Sequence, residues 1–491
     1  MNSESGELRR VNWREAFPFV RLFSAASRAV GFGPLILGFC CVATVYVSGR
    51  LLDAVWMGCG SGAIISTDPN AIPNSEIQKF ILGGTELIKT WQAETEKVTR
   101  GGAPVTMRGG PFQALVLHEM NCFTSAVEGV LSGHLLTGGG TLDDRPALFS
   151  SIGAGLIGFS WLLQRFPFFS VLLAAVGVLC FSFYGGAICR VAAVRAARGR
   201  WLGPFATLQE FSWSRWPDVA AAPGVFIGTA LLLGAGLFAL GFIGGILPWI
   251  GPIVSGLLFG LSFLMGLALA FVFLGLVLAV HLGPPAVAVE RSDAFEGWSR
   301  ACNYILTRPL SFLFYSLVAL IVGSLGYTLV RLVAMFTLKF THSFLGAGMS
   351  WFGAWNGGRH SDVPKLDAMW RMPDWLELSV LPSAHSARWW GELAPVLTTW
   401  PEWIGMLFIS VVLYLFVALV AGYVVSYYFC AATEIYLLLR HEIDDTELDE
   451  IDYVDPDEIG LLSVTEAVSA PASAKGTALP VVGRQPGEGK P

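Results

Sequence analysis

The sequence predicts an all-α integral membrane protein with six transmembrane helices, and three observations carry that prediction. Of 491 residues, 54% are hydrophobic and only 14% charged, where soluble domains carry nearer ~25% charged residues. Long stretches contain no Lys, Arg, Asp or Glu, and mean hydropathy is +0.60. Arginine is concentrated in short segments that alternate along the chain.

The charge-free stretches locate the spans. No charged residue occurs between Arg28 and Arg50, Arg165 and Arg190, Arg308 and Arg331, or Glu402 and Glu434. Each stretch supplies the ~20 apolar residues that cross a hydrocarbon core. The interval from Asp218 to Glu290 is long enough for two crossings, with Pro248-Trp249-Ile250-Gly251-Pro252 as the turn between them. Six spans are expected, near 30–49, 168–189, 221–246, 253–280, 309–331 and 404–430.

Arginine placement orients them. Arg9, Arg10, Arg14, Arg21 and Arg28 precede the first span, Arg190, Arg195, Arg198 and Arg200 follow the second, and Arg291, Arg300 and Arg308 lie between the fourth and fifth. These segments (1–29, 190–220, 281–308) and the tail 431–491 are expected in the cytoplasm, with loops 50–167 and 332–403 outside. Segment 146–164 is uncharged and competes as a span. Were it one, the Arg190–Arg200 cluster would move outside, so it reads as an interfacial or re-entrant helix. A cleavable signal peptide fits poorly, because about thirty polar and aromatic residues precede the first apolar run.

The segments leading into outward spans look alike. Glu15-Ala16-Phe17, Gly203-Pro204-Phe205 and Asp293-Ala294-Phe295 open them, and Pro34, Pro223 and Pro309 begin the spans that follow. Phe19, Leu22, Phe23, Ala26 and Val30 share a helical face, as do Phe295, Trp298, Cys302 and Ile305. Asp293 with Glu296 fits a capping box. The pattern suggests three parallel repeats, each an interfacial helix followed by a membrane hairpin. The alternative is compositional, since aromatic-rich linkers before membrane helices resemble one another. Glycines at 224, 228, 234, 241, 245, 256, 260 and 266 crowd the third and fourth spans. Gly224/Gly228 and Gly256/Gly260 are GxxxG pairs that permit close helix approach. This hairpin is therefore the expected centre of the bundle.

The first outer loop is expected to carry two helices, one capped by Ser75 and Gln78 and one opening at Pro111. Cys59 and Cys122 are the only cysteines expected outside the membrane, so a disulfide between them is chemically permitted. Eight of the seventeen tryptophans, among them Trp370, Trp400 and Trp403, fall in the second outer loop or at its edge. The plainer reading is an interfacial aromatic layer; a sugar- or lipid-binding platform is the sharper one. Net charge is −6, yet Glu442–Glu458 alone holds ten acidic residues, leaving +4 for the rest. That is not the footprint of a nucleic-acid binder, which clusters Lys and Arg on one face. The acidic run 442–458 is a candidate docking site for a basic protein partner, against the plainer reading of a solvated run, and the chain beyond Ser463 reads as disordered.

Chemical motifs are scarce. His118-Glu119-Met120-Asn121-Cys122 approaches the HExxH zinc signature but ends in Cys, so a half-buried helix face explains it better. Candidate ionisable groups for a relay inside the bundle are few, and Arg331, Glu434 and His281 read as interfacial or snorkelling. No catalytic, cofactor-binding or metal-binding residue is expected, and no cofactor. Arg21, Arg28 and Arg300, beside aromatic faces, are candidate contacts for anionic lipid headgroups.

Three segments carry a resemblance: Gly-Gly-Ala-Ile-Cys-Arg-Val-Ala-Ala at 185–193, Ala-Val-Ala-Val-Glu-Arg-Ser-Asp-Ala-Phe at 286–295, and Ile-Tyr-Leu-Leu-Leu-Arg at 435–440 followed by 445–450. They resemble a family of bacterial multi-pass proteins associated chiefly with planctomycetes. More distantly, the interfacial-helix-plus-hairpin pattern looks like membrane domains attached to some glycerophosphodiester phosphodiesterases, whose catalytic domain this chain lacks. The resemblance implies a bacterial inner-membrane location and no activity. Three functions compete: a non-enzymatic scaffold organising lipid or partners, a permease or transporter subunit, and a membrane-embedded lipid-modifying enzyme. A tightly packed apolar bundle would favour the first, a polar cavity at the midplane the second, and convergent His and acidic groups at one interface the third. Oligomeric state is open.

Overall fold

The computed structural model describes residues 17–59, 62–66, 76–84, 87–88, 107–136, 147–246, 250–350, 366, 369–370, 400–447 and 450–451. Nearly all of these are helical, and six helices are long and apolar enough to cross a membrane. A 3-10 turn, Pro18–Val20, leads into α1 (Arg21–Ala29) and α2 (Phe32–Gly58). Strands β1 (Ala63–Ser66) and β2 (Met107–Gly109) pair antiparallel. After them come α3 (Pro111–Leu131), α4 (Leu148–Arg165) and α5 (Pro167–Cys180), which a π turn at Phe181–Gly185 continues into α6 (Gly186–Arg198). A four-residue α7 (Pro204–Thr207) and a second π turn, Leu208–Ser212, run into α8 (Trp213–Ile246). The chain continues through α9 (Gly251–Leu257), α10 (Phe259–Glu290), α11 (Ala294–Thr307), α12 (Pro309–Ser350) and α13 (Trp400–Asp444).

Local chemistry explains the boundaries. Four helices open on proline (Pro111, Pro167, Pro204, Pro309), where the missing N–H costs nothing and φ is preset for the helix. The three helices that return toward the chain's starting side, α6, α10 and α13, stop alike, at a left-handed residue: Gly199 (φ 68°), Arg291 (φ 52°) and Asp445 (φ 52°). Such a residue turns the chain sharply out of the helix. Asp293 caps α11 by accepting from Glu296 N at 3.0 Å. Only that half of the expected box forms, because the Glu296 carboxylate turns to Arg300 at 2.6 Å.

The end at which α2, α8 and α12 begin and α6, α10 and α13 stop is the proximal end; the other is distal. Between them α2 and α13 form the central pair, touching backbone to backbone at Gly38 and Gly422. Side chains on α1 at 22, 25 and 29 are fully buried, on a stripe that lies against α13. At the distal end, Asp53 accepts from Phe112 N at 2.8 Å and Gln113 N at 3.0 Å, so the last turns of α2 cap α3 and offset its N-terminal dipole. There Phe112, Leu115, Trp161, Leu162, Phe166 and Phe169 build a separate apolar cluster.

Four expectations change. The Gly-rich hairpin, α8 with α10, is not the bundle centre: none of the most apolar stretch of Phe259–Val277 is buried. A Cβ on any of its eight singled-out glycines would meet nothing within 4 Å. The two helices pack through Gly236 and Gly275 instead, against Met265 and Phe226, while Gly244 meets Ser255 of α9. Pro223 does not begin a span, because α8 runs unbroken through Pro217 and Pro223. Helices also outrun their charge-free windows. At 1.5 Å per residue α12 and α13 reach about 63 and 68 Å, twice the ~30 Å core, so charges terminate the lipid-embedded part and not the helix. Finally, β1 and β2 were not expected; residues more than forty positions apart pair there, with no local signal to mark it. The 248–249 turn, Ser75, most of the tryptophan-rich loop and the chain from 452 lie outside the described residues.

Candidate functional site: a polar junction at the proximal end

The most deeply buried part of the molecule is polar at its heart. Residues 187–189 and 191 of α6, 286–289 of α10 and 435–436 of α13 have no solvent exposure, and the three helix ends pack on one another. These are the segments that carried the family resemblance. Small residues at 187, 192, 193, 286, 288, 431 and 432 let the helices close tightly enough to exclude water.

Charged groups enter this dry region in paired sets. Arg190, only 2% exposed, donates to the Ala288 carbonyl at 2.9 Å, with Phe211 6.0 Å beneath its guanidinium. Ala288 lies in the last turn of α10, whose carbonyls lack intrahelical donors, so a cation there meets the negative end of the helix dipole. Glu290, the last residue of α10, accepts from Tyr436 Oη at 2.6 Å and pairs with Arg300 at 2.6 Å and Arg440 at 3.5 Å. One carboxylate thereby ties α10, α11 and α13 together. Arg28 of α1 pairs with Glu434 of α13, whose side chain is 2% exposed. Around the rim, Tyr304 donates to Asp444 and Tyr315 to Glu442. Burial, then the Asp444 carboxylate, push the Tyr304 phenol well above its ordinary range, so it stays a protonated donor.

This geometry relocates several expected residues. Arg28 and Arg300 face carboxylates of this chain, and Glu434 is a buried partner where a snorkelling group was expected. Arg21 sits half-buried on the same helix as Arg28. The opening of the acidic run is tied down: besides the two tyrosine bonds, His441 meets the Thr446 carbonyl at 2.8 Å, Arg440 the Glu450 carbonyl at 2.6 Å, and Ile451 is buried. His281 lies against Tyr428, 3.4 Å from its hydroxyl, and Phe312. Arg190, Glu290, Arg300's link to it, Tyr304, Tyr315 and Arg440 were not foreseen as one set. Their only signal was position, since Glu290 ends the longest charge-free stretch and Arg190 ends another.

A second group of reactive side chains gathers distally, between α3 and α4. His118 Nε2 lies 2.9 Å from the Ala154 carbonyl and 3.5 Å from Cys122 Sγ, while Glu119 lies along Gly155 and Gly158. Burial pushes Glu119 up to about 7 and, with Glu119 adding, Cys122 up to about 11; it lowers His118 despite the Ala154 contact. A thiol held up this far stays protonated, so Cys122 is neither a zinc ligand nor an activated nucleophile. Among the described residues no three His, Cys, Asp or Glu side chains are grouped to hold a metal. Cys59 and Cys122, between which a bridge was chemically permitted, are free thiols here, Cys59 exposed after α2 and Cys122 turned to His118.

Six helices long and apolar enough to cross a membrane make the chain a multi-pass integral membrane protein. No protein-family model matches it, and no curated protein or solved structure does either.

Proposed function

We propose that this protein is a non-enzymatic membrane scaffold that organises lipid and protein partners. One observation supports the reading above others: the ionisable groups of the proximal junction are committed to one another, which braces helices and leaves no nucleophile, base or metal ligand poised for turnover. The same pairing removes the buried, unmatched charge that a proton- or ion-coupled carrier uses. In this reading the membrane is the bacterial inner membrane, with both chain ends cytoplasmic, as the arginine distribution and the family resemblance suggest. Membrane lipid contacts the outward side of α1, where Phe23, Ser27 and Val30 are exposed beside Arg21. A basic protein partner docks on the acidic chain beyond Ile451.

A permease subunit is the second reading, favoured by the threefold recurrence of an outgoing helix and a returning helix that stops at a left-handed residue. Two experiments separate the readings. Deleting 452–491, and not 442–491, spares the tyrosine contacts; affinity purification in mild detergent is then expected to lose protein partners while the thermal midpoint stays put. Substrate flux or lipid hydrolysis by the purified protein in liposomes, abolished by a point mutation in the bundle, would overturn the scaffold reading. Reporter fusions at Gly138, Gly199 and Gly357 test orientation, with extracytoplasmic activity expected at the first and third alone.

A further inference from the structure

The surface of α4 divides into three sectors at 100° per residue. Leu148, Ser151, Gly155, Gly158 and Leu162 are buried on the side that packs on α3. Phe149, Ile152, Leu156, Phe159 and Leu163, spaced by three and four, are 48–59% exposed along one stripe. Gln164 and Ser160, bonded to each other at 3.1 Å, lie in the remaining sector with Ile157, which is 37% exposed. The stripe spans about 21 Å, and no Asp, Glu, Lys or Arg occurs from 146 to 164. Helix α4 falls outside the set of six membrane-crossing helices.

We propose that this stripe is a lipid surface, seated in the acyl layer of the distal leaflet while α4 lies along the membrane plane. Continuity with a crossing helix is the first argument. One residue, Phe166, separates α4 from α5, and backbone bonds pass through it (Phe166 N to Leu162 O at 2.8 Å, Ser170 N to Phe166 O at 2.9 Å). The exposed side of α5, Phe168, Val171 and Leu172, extends the same apolar surface into a membrane span. Depth is the second. Helix α3, on which α4 packs, rests on Tyr46 and Gly49 of α2 and on Tyr327 of α12. Those residues lie about 21 to 27 Å along their helices from the proximal end, inside the distal edge of a ~30 Å core. A packed sector, an apolar stripe and a third sector that brings Ser160 and Gln164 to the surface suit a helix at a lipid–water boundary. The inference rests on the membrane reading but is independent of the scaffold proposal.

The test uses the full chain in phosphatidylcholine vesicles carrying a diazirine on the acyl chain, with inserted carbene mapped by mass spectrometry and hydroxyl-radical oxidation run in parallel. Lipid label is expected on Phe149, Ile152, Leu156, Phe159 and Leu163 at the level found on Phe168 and Val171, with no oxidation there and oxidation at the Gln164 side. Oxidation of the stripe while α5 takes lipid label would overturn the proposal in favour of a water-facing helix. Protection of the stripe from both reagents, again with α5 labelled, would overturn it in favour of a protein cover such as a second copy. Failure of α5 to take label would instead defeat the membrane reading itself.

Discussion

The α2–α13 pair and the α8–α10 hairpin are both apolar, both glycine-containing and both long enough to cross a membrane, yet they occupy opposite places in the fold. Between α2 and α13 two glycines suffice, because Gly38 and Gly422 face each other and no side chain separates the backbones. Eight singled-out glycines in the hairpin touch nothing described, because they lie on faces turned away from neighbours. Glycine helps helices associate only where it is opposed. Charge follows the same division. The Arg28–Glu434 pair ties α13 to α1 at the proximal end, whereas the hairpin carries no charged residue between Asp218 and Glu290 and enters the junction only at the foot of α10. The centre of this membrane protein is marked by buried polar pairs at one end, not by its most glycine-rich or most apolar helices.

The largest expected effect tests the opposed glycines. Gly422→Leu drives a side chain into the backbone of Phe39, which cannot move aside as a flexible side chain would. Overpacking typically costs 1–3 kcal/mol, and a backbone obstacle puts this case at about 3 kcal/mol or above. Loss of the monodisperse peak in detergent size exclusion, or a strongly lowered thermal midpoint, is the expected readout. A wild-type profile would mean that α2 and α13 do not meet there.

Next comes the Arg28–Glu434 pair. Glu434→Ala leaves a guanidinium in a water-poor site, and because the Arg28 side chain keeps 16% exposure the cost is about 3 kcal/mol at most, whereas replacing both residues with leucine restores most of it. A double-mutant cycle on thermal midpoints measures the coupling. Additive losses would show that the two side chains do not pair, and the junction would then hold the bundle no better than the hairpin does.

Much of this architecture was legible in the sequence. Absence of charge gave the number of spans, because lipid penalises any charge it surrounds. Pro111 and Asp293 announced helix starts, since their chemistry is local. Packing partners were not legible. Whether Gly224 or Gly38 meets another backbone depends on helix rotation, which is set by tertiary contacts that leave no local trace. Arg28, Glu434 and Arg300 were visible as charges near membrane ends, and in that position a lipid-facing or snorkelling role is chemically as reasonable as an internal pair. Only the fold brings residues 28 and 434 together.

Acidity separates the junction from the distal seam, and its effect is smaller. Glu119 has its carboxyl raised from 4.5 to about 7 by burial, so the folded state holds a proton that the unfolded state has released. Its contribution is therefore most favourable below about pH 4.5 and is lost as pH rises toward 7. The site is partly open to solvent, which limits the change to roughly 1–2 kcal/mol. Glu119→Gln is expected to flatten that part of the stability profile. An unchanged slope in the variant would show that Glu119 is not enclosed by α3 and α4.

The smallest expected effect is the sharpest test of the comparison. Gly224, Gly228, Gly256 and Gly260 all changed to Ala add four methyl groups to surfaces where a Cβ meets nothing within 4 Å. Surface changes of this kind usually stay within ±0.5 kcal/mol. Helix propensity pulls toward stabilisation, since Gly in a helix interior is up to about 1 kcal/mol less favourable than Ala. The thermal midpoint in detergent is thus expected to hold or rise slightly, and the oligomeric state to stay as in the parent. A drop of the midpoint, or a shift of the elution peak to smaller size, would reveal a helix pressed against those glycines from another molecule. In that event the hairpin would be a second packing centre whose opposing backbone belongs to a partner, and the contrast with Gly38 and Gly422 would be one of which chain supplies the neighbour.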